Sequence, residues 1–317
     1  MSRYDQDDPQ AAPGHHATGA NAGPGADQVP AEAEEKEENP FSEEREQHAP
    51  KYQRDREEKA QIAERQGLSS VTVYSIVRHE GIEELSRPVQ SLWWSGVAAG
   101  IGITTSVYAE AILHTGLQGH PYLSLLESLG YTVGFVLVIL SRLQLFTENT
   151  LTVILPLLNN FSLSRAGVAA RLWGVVFAAN LTGAAATMAV TLYFGTATAE
   201  HIEAMLVISR EYAHNAGWTA MWLGVPAGFF IAALVWMLPS SRGFEIFTII
   251  LFTFLIAAGG LTHVVAGSAE AFLLVFNGEM GVFDAAFTLI LPTFIGNVLG
   301  GTGLFALLAY AQVEEEL

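Results

Sequence analysis

The sequence predicts an all-α membrane protein in which six transmembrane helices form two inverted repeats of three helices each. Half of the residues are hydrophobic, and the chain becomes mostly apolar after Leu92. Two long apolar segments are interrupted by short polar breaks, one around Thr147 and one around His263. Interrupted segments at corresponding positions of two halves are typical of transporters whose substrate site lies near the membrane midplane. A globular enzyme is therefore excluded, and a membrane channel or transporter is predicted.

The N-terminal part of the chain has a different composition. Residues 1–50 are rich in Asp, Glu, Ala, Gly and Pro, and such a segment buries too little apolar surface to fold, which predicts a disordered acidic tail. Residues 51–87 are interpreted as a cytoplasmic helical and amphipathic approach segment, residues 88–312 as the transmembrane domain and residues 313–317 as an acidic C-terminal tail. The soluble segments contain no nucleophile, metal-ligand or nucleotide-binding pattern, so we expect no enzyme activity, metal, cofactor or nucleic-acid partner.

Six crossings follow from the length of about 20 apolar residues that spans the hydrocarbon core. They are predicted at residues 91–117, 127–158, 171–195, 216–238, 244–276 and 284–311, of which the second and the fifth are broken. Residues 198–214 carry several charges and are interpreted as an extramembrane linker between two groups of three crossings. Each group ends with an Asn-x-x-Gly element, at Asn180 and at Asn297, at a similar distance from the preceding break. With three crossings per half, the two copies must be inverted.

The distribution of arginine predicts the orientation of the crossings. Cytoplasmic loops carry an excess of Lys and Arg, and the chain has no lysine after Lys59. The arginines of the predicted inner loops are Arg78, Arg87, Arg165, Arg171 and Arg242. Both termini are therefore expected in the cytoplasm.

The two breaks contain the candidate functional residues. Unwound backbone at membrane depth leaves peptide groups without helical partners, which requires cover by protein or a polar cavity. His263 is the strongest candidate because an ionisable group at this depth is costly, although it can instead hold the broken helix together. Thr147 and Thr262 are candidate pore hydroxyls that bind a solute or the loop. Leu145 and Phe146 are candidates for a dry constriction that excludes water and ions.

Other polar residues are assigned structural or pore-tuning roles. Arg142 and Glu148 flank the first break and are predicted to form a buried ion pair that braces it. Glu270 can face the same side as His263 and tune its protonation, or bond a neighbouring loop. Glu110 is expected to be solvated at the membrane interface. Asn180 and Asn297, the asparagines of the two Asn-x-x-Gly elements, are assigned to this same structural or pore-tuning group.

These segments resemble the formate/nitrite transporter family, and more closely its branch of YfdC-like inner-membrane proteins. The resemblance covers about residues 88–312. It is carried by residues 145–152 (LFTENTLT), Asn180-x-x-Gly183, residues 262–268 (THVVAGS) and residues 296–301 (GNVLGG). The family implies an aquaporin-like fold, a homopentamer in the inner membrane with one pore per protomer, and passage of small monovalent anions such as formate, nitrite or hydrosulfide.

The resemblance also implies roles for individual residues. His263 matches the central pore histidine, Thr147 the threonine of the loop in the second crossing, and Leu145 with Phe146 the narrow apolar slit on the cytoplasmic side. In the family picture the histidine neutralises the anion by proton transfer or balances its charge. This sequence departs from the better-known members at Thr262, where they carry an acidic neighbour of the histidine.

Three functions stay open at this point. The first is movement of a small monovalent anion or weak acid, with protons as a partner. The second is a pore for small neutral solutes, and the third is a non-conducting scaffold or sensor that acts through the acidic tail.

Overall fold

The structure is a computed structural model, and it describes Arg56 and residues 67–317. The predicted acidic tail and, apart from Arg56, residues 51–66 of the approach segment lie outside the described residues. Regular structure in the described part is helical throughout. The helices are α1 (Ser70–Ser86), α2 (Val89–Gly116), α3 (Leu123–Leu140), α4 (Asn149–Thr152), α5 (Leu155–Asn159), α6 (Leu163–Phe194), α7 (Ala199–Ala213), α8 (Trp218–Met237), α9 (Glu245–Ala258), α10 (Val264–Phe276) and α11 (Val282–Glu316).

Five of the described helices, α2, α3, α6, α8 and α11, are long and apolar enough to cross a membrane. The α4–α5 pair, α9 and α10 are shorter apolar helices. The last helix was predicted as a plain crossing, but residues Ala285–Ile290 and Leu299–Ala306 within α11 are π-helical. Each of the six predicted crossings thus coincides with helical segments, of which five are long and apolar enough to cross a membrane.

Two helix starts differ from the predicted boundaries, and a side-chain cap explains each. Helix α6 begins at Leu163 rather than near residue 171, because the Ser162 hydroxyl accepts the Arg165 N–H at 3.2 Å. The predicted linker at 198–214 contains helix α7, which starts after Thr198, whose hydroxyl accepts the His201 N–H at 3.2 Å. Such caps satisfy amide groups that have no partner in the first helical turn.

Both predicted interruptions are non-helical segments. Break 1 comprises residues 141–148, between α3 and α4, and break 2 comprises residues 259–263, between α9 and α10. Each break contains one residue with left-handed backbone, Arg142 with φ of 53° and Gly260 with φ of 61°. Glycine adopts this conformation without steric cost, whereas for arginine it is unusual, so the surrounding contacts must hold Arg142 in place.

Two buried asparagines hold the breaks through equivalent hydrogen bonds. Asn180 on α6 accepts the Phe146 N–H at 2.9 Å and donates to the carbonyl oxygen of Gln144 at 2.8 Å. Asn297 on α11 accepts the Val264 N–H at 2.8 Å and donates to the carbonyl oxygen of Thr262 at 2.9 Å. The second amide hydrogen goes to a glycine carbonyl in both cases, Gly96 on α2 and Gly224 on α8. Each asparagine therefore replaces the helical partners that one break has lost.

The same correspondence extends to the helix crossings beside the asparagines. A Cβ atom on Gly100 of α2 would lie 2.1 Å from the carbonyl oxygen of Asn180, and one on Gly228 of α8 would lie 2.2 Å from that of Asn297. Only glycine allows backbones to approach this closely. The contact between α2 and α6 and the contact between α8 and α11 are therefore built in the same way.

Helices α1 and α7 lie at opposite ends of α8, which we call the α1 end and the α7 end of the bundle. Helix α1 packs Val77 into an apolar cluster with Val235, near the end of α8. Helix α7 packs Met205 into a second cluster with Leu273 of α10. Twenty helical residues span about 30 Å, so the two ends are separated by about the thickness of a bilayer core.

Candidate pore site

A hydrogen bond between two buried side chains joins the breaks. Nε2 of His263 lies 2.7 Å from the hydroxyl oxygen of Thr147, although the residues are 116 positions apart in sequence. His263 is 1% exposed and Thr147 is fully buried. The structure therefore brings together the two residues that sequence analysis placed first.

The second ring nitrogen of His263 defines the tautomer. Nδ1 accepts the Ala266 N–H at 3.3 Å, so His263 caps the start of α10. A neutral imidazole that accepts at Nδ1 carries its proton on Nε2, so Nε2–H donates to Thr147. The two interpretations of His263 are thus not exclusive, because the ring supports the broken helix with one nitrogen and presents a proton at the other.

Aromatic rings surround this pair on the α7 side. The ring of Phe135 meets the His263 imidazole edge-on, with centroids 4.9 Å apart. Tyr131 lies one helical turn earlier on α3, with its ring centroid 5.1 Å from that of Phe135. The imidazole therefore sits in an apolar environment, where water does not compete for its N–H.

The predicted constriction residues Leu145 and Phe146 are both fully buried. Phe146 stacks on Phe294 with centroids 4.9 Å apart and also contacts Phe177 and Trp173. These rings form a dense apolar layer next to Thr147. A layer of this kind excludes ions because it offers nothing to replace their hydration.

The hydrogen bonds of the asparagines reveal a register that the sequence did not show. His263 lies between the bonded Thr262 carbonyl and the Val264 amide, and Leu145 lies between the equivalent groups of break 1. The position equivalent to His263 is therefore held by Leu145, and Thr147 lies two residues farther along.

Thr262 contributes to the scaffold. Its hydroxyl donates to the carbonyl oxygen of Ala220 on α8 at 2.6 Å, and the side chain is buried. The single hydrogen of the Thr262 hydroxyl is therefore used inside the protein, which fixes break 2 to the first turn of α8.

The predicted ion pair between Arg142 and Glu148 is wrong. Arg142 instead binds Glu80 of α1, with nitrogen and oxygen 2.9 Å apart, and its side chain is largely exposed. Oε1 of Glu148 is buried and has no hydrogen-bond partner within the described part of the chain. The reason is that α1 packs over break 1 and places the Glu80 carboxylate beside Arg142. These residues are 62 positions apart, so the sequence did not reveal their contact.

A cavity of about 470 Å³ opens between α1 and break 1. Its charged lining residues are Glu80, Glu83, Glu84, Arg87, Arg142, Glu148, Arg242 and Glu245. Glu84 accepts hydrogen bonds from the Thr152 hydroxyl at 2.8 Å and from the Gln144 side chain at 3.3 Å. Burial raises the pKa of the Glu84 carboxyl, and these two hydrogen bonds oppose part of the increase.

A second cavity, of about 140 Å³, lies at the α7 end against break 2. Gly260 and Leu261 of break 2 form part of its wall, together with Glu110, Glu270 and Tyr131. The expectation that Glu110 is solvated at the interface is wrong, since the side chain is 8% exposed. The Thr147–His263 pair therefore joins two breaks, and each break lines a different cavity.

Helix α7 is fixed at this end by an ion pair outside the apolar region. Arg210 binds both carboxylate oxygens of Glu279 at 2.8 Å, and also contacts Glu203. The guanidinium holds the pKa of Glu279 down at about 2. Among the described residues, no cluster of three or more His, Cys, Asp or Glu side chains is arranged to hold a metal ion.

Comparison with known proteins agrees with this architecture. The family model described as "Formate/nitrite transporter" matches residues 71–311. The chain is 38% identical over 248 residues to "Inner membrane protein YfdC" of Escherichia coli (strain K12), covering 78% of this chain and 80% of the relative. It is 25% identical over 239 residues to "Formate channel FocA" of Haemophilus influenzae, covering 71% and 80% of the two chains.

Solved structures show the same fold. A "Pentameric formate channel with formate bound" matches with a TM-score of 0.62 and 21% identity, covering 72% of this chain and 98% of that one. An "FNT family ion channel" matches with a TM-score of 0.65 and 16% identity, covering 76% and 98%. From its family match, its similarity to YfdC and its helical architecture, this chain belongs to the formate/nitrite transporter family of membrane channels and transporters.

Proposed function

We propose that this chain is a channel for the small monovalent anions of weak acids, such as formate or nitrite, and that the solute crosses at the Thr147–His263 pair. The observation that carries the proposal is the 2.7 Å hydrogen bond between these side chains, which joins the two breaks inside an apolar layer. Ionisable groups at membrane depth are rare and mark solute or proton pathways. Relatives whose names state a formate channel support the substrate class.

The proposed architecture has six crossings in two inverted repeats, with break 1 and break 2 in the second and fifth crossings. The equivalent hydrogen bonds of Asn180 and Asn297 and the equivalent glycine contacts support this arrangement. The pentameric state of the matched formate channel supports a homopentamer, and the name of the YfdC relative supports the inner membrane. Both termini are placed in the cytoplasm on the basis of the arginine distribution.

The chemistry of passage follows from the dry surroundings of the pair. A bare anion in an apolar layer loses its hydration, which costs far more than the transfer of a neutral acid. Nε2–H of the neutral His263 ring can donate a hydrogen bond to a solute oxygen; proton transfer requires the imidazolium form, in which Nδ1 carries a proton and no longer accepts the Ala266 N–H. The Thr147 hydroxyl accepts from His263 and still has its own hydrogen to donate. The two side chains can thus hold an oxyanion while it is neutralised.

Flux into proteoliposomes tests this function. We would measure formate, nitrite, hydrosulfide, acetate, chloride and glycerol at two pH values, with wild type and His263→Ala, and with Thr182→Ala as a control on the exposed face of α6. We expect weak-acid flux that rises as pH falls, that loses this pH response in His263→Ala and that stays normal in the control. Unchanged pH dependence in His263→Ala would contradict the proton-donor role.

A pore for neutral solutes is the second candidate, because carboxylates line the cavity at the α7 end. Glycerol flux that is indifferent to pH and to His263 would favour it. A scaffold or sensor would instead lose its function on deletion of residues 1–60 and tolerate substitutions in the pore.

A further inference from the structure

One aromatic side chain of α7 reaches the first turn of α10, next to break 2. Tyr212 stands in the last turn of α7, and its ring lies on Gly267 of α10. A Cβ atom on Gly267 would lie 2.1 Å from the Tyr212 hydroxyl oxygen and 2.2 Å from the ring carbon that carries it. Cβ atoms do not approach other atoms this closely, so the ring occupies the space that a side chain at position 267 would need.

Gly267 lies between His263 and the cavity at the α7 end. Its N–H donates to the His263 carbonyl oxygen at 2.8 Å. Glu270, farther along α10, lines the cavity. His263, Gly267 and Glu270 follow one another at spacings of four and three residues, which places them on one face of the helix. The line from the cavity to His263 along α10 therefore passes over Gly267, where the Tyr212 ring lies.

Helix α3 contributes a second aromatic wall. Tyr131 lines the cavity together with Tyr212, and its ring contacts Phe135, which in turn meets the imidazole of His263. The His263 side chain is 1% exposed. The cavity therefore ends at these aromatic rings and does not reach the imidazole.

The backbone of α7 is fixed more firmly than the end of the Tyr212 side chain. Arg210, two residues earlier, binds both carboxylate oxygens of Glu279. The Tyr212 hydroxyl is held by a hydrogen bond to the Thr293 hydroxyl of α11 at 3.3 Å. Such O–H···O bonds are usually about 2.7–2.8 Å long, so this one is weak. A small solute can therefore displace the ring without moving the helix.

On the basis of the transport function proposed above, we propose that Tyr212 is a size-selecting residue of the pathway. Its ring lies across the passage between the cavity and His263, and moves aside far enough for a monocarboxylate of the size of formate but not for a larger one such as lactate. Gly267 leaves room for the ring and supplies no side chain of its own. The width of the passage is therefore set by a residue of α7 rather than by α10.

Flux of formate and lactate into proteoliposomes tests the proposal. We would compare wild type with Tyr212→Ala, which removes the ring, and with Tyr212→Phe, which keeps the ring and loses the hydroxyl. Tyr193→Ala is a matched control, because this tyrosine of α6 is 64% exposed and does not line the cavity. We expect Tyr212→Ala to raise the lactate-to-formate flux ratio at least about tenfold, the usual discrimination by fit against a small added group. Tyr212→Phe and Tyr193→Ala should keep the wild-type ratio.

A second-site substitution distinguishes a size limit from a general loss of packing. In Tyr212→Ala the space over Gly267 is empty, so the addition of Gly267→Leu should refill it and return the flux ratio toward that of wild type. Gly174→Leu in the same background is the matched control, since a Cβ atom on Gly174 of α6 would meet no described atom within 4 Å. This control should leave the raised ratio unchanged. Recovery through a larger side chain is a result that a misfolded variant would not produce.

Modification of a thiol tests the passage without any transport. The chain contains no cysteine, so His263→Cys introduces a single thiol. We would measure the rate at which a small charged methanethiosulfonate modifies this thiol in detergent-purified protein, with Tyr212 present and in the Tyr212→Ala background. We expect the rate to rise at least about tenfold without the ring, because access to a thiol limits its rate of exchange. The Tyr193→Ala background should leave the rate unchanged.

Tyr212→Ala with the wild-type flux ratio would overturn the proposal, as would a raised ratio that Gly267→Leu does not lower. Equal rates of thiol modification with and without the ring would overturn it as well. If Tyr212→Ala does not fold, Tyr212→Val, which keeps an apolar side chain at this position, decides by the same criteria. Failure of the transport function is distinguishable from these results. In that case wild type passes no weak acid at all, whereas the rate of thiol modification still reports on Tyr212.

Discussion

Replacement of Asn297 by alanine should destabilise the protein, because one side chain satisfies both orphaned peptide groups of break 2. Asn297 is fully buried, accepts from the Val264 N–H at 2.8 Å and donates to the Thr262 carbonyl at 2.9 Å. Neither peptide group has a helical partner at this point of the chain. Its third hydrogen bond, to the Gly224 carbonyl at 2.9 Å, goes to a group inside helix α8.

The size of the effect follows from these partners. A buried polar group left without a hydrogen bond costs about 1–3 kcal/mol. Two orphaned groups in break 2 therefore predict a loss of about 2–6 kcal/mol, and measured values in membrane proteins favour the lower half of this range. The Gly224 carbonyl adds little, because it lies within a helical turn. Asn180→Ala should cost a similar amount, since its bonds to Gln144 and Phe146 are equivalent.

Thermal unfolding of the purified protein in detergent, with the oligomer followed by size exclusion after heating, measures this loss. Thr182→Ala is a matched control on the helix of Asn180, because the Thr182 hydroxyl bonds only the carbonyl of its own helix, at Ala178. We expect the control to change the stability by less than about 0.5 kcal/mol. An Asn297→Ala protein that unfolds together with the control would refute the assignment of the asparagine as the support of break 2.

Two further predictions concern the α1 end of the proposed pathway. Phe146→Ala should lower stability by about 3–5 kcal/mol, the usual cost of removing a buried phenylalanine. It should also raise the acetate-to-formate flux ratio, because it opens the apolar layer. An unchanged ratio would contradict a constriction at Phe146. Glu84 has a raised pKa in the folded state, so its contribution to the docking of α1 is fully present below its ordinary pKa of 4.5 and is lost as pH rises through the raised value. We therefore expect the protection of the α1 amides from hydrogen exchange to fall in wild type as pH rises through this range, and to stay constant in Glu84→Gln. The same pH response of this protection in both proteins would argue against a titrating Glu84.

The sequence predicted the apolar segments and the breaks because both leave a direct local signal. A crossing requires about 20 apolar residues, and a polar interruption within such a segment requires buried support. The repeated Asn-x-x-Gly element indicated that the two halves are related, and only the structure shows that Asn180 and Asn297 support the breaks. His263 and Thr147 were selected by the same reasoning, and the structure places them in contact.

The tertiary structure decided which distant groups meet. Arg142 was paired with Glu148 on sequence proximity, but α1 crosses break 1 and supplies Glu80 instead. The register that makes Leu145 the equivalent of His263 appears only in the hydrogen bonds of the asparagines. Adjacent positions in sequence do not reveal such partners, since a side chain responds to whatever helix packs over it.

Glu110 shows most clearly which properties the sequence determines and which depend on the tertiary structure. Its position near the end of an apolar helix indicates an interfacial carboxylate, which is the usual location for such a residue. In the folded protein, α3 packs closely at Gly130, and α7 and α10 complete the wall around the side chain. The sequence alone determined that a carboxylate stands at this depth. The packing of three other helices decided that it is buried beside Glu270, because burial depends on neighbours that are far away along the chain.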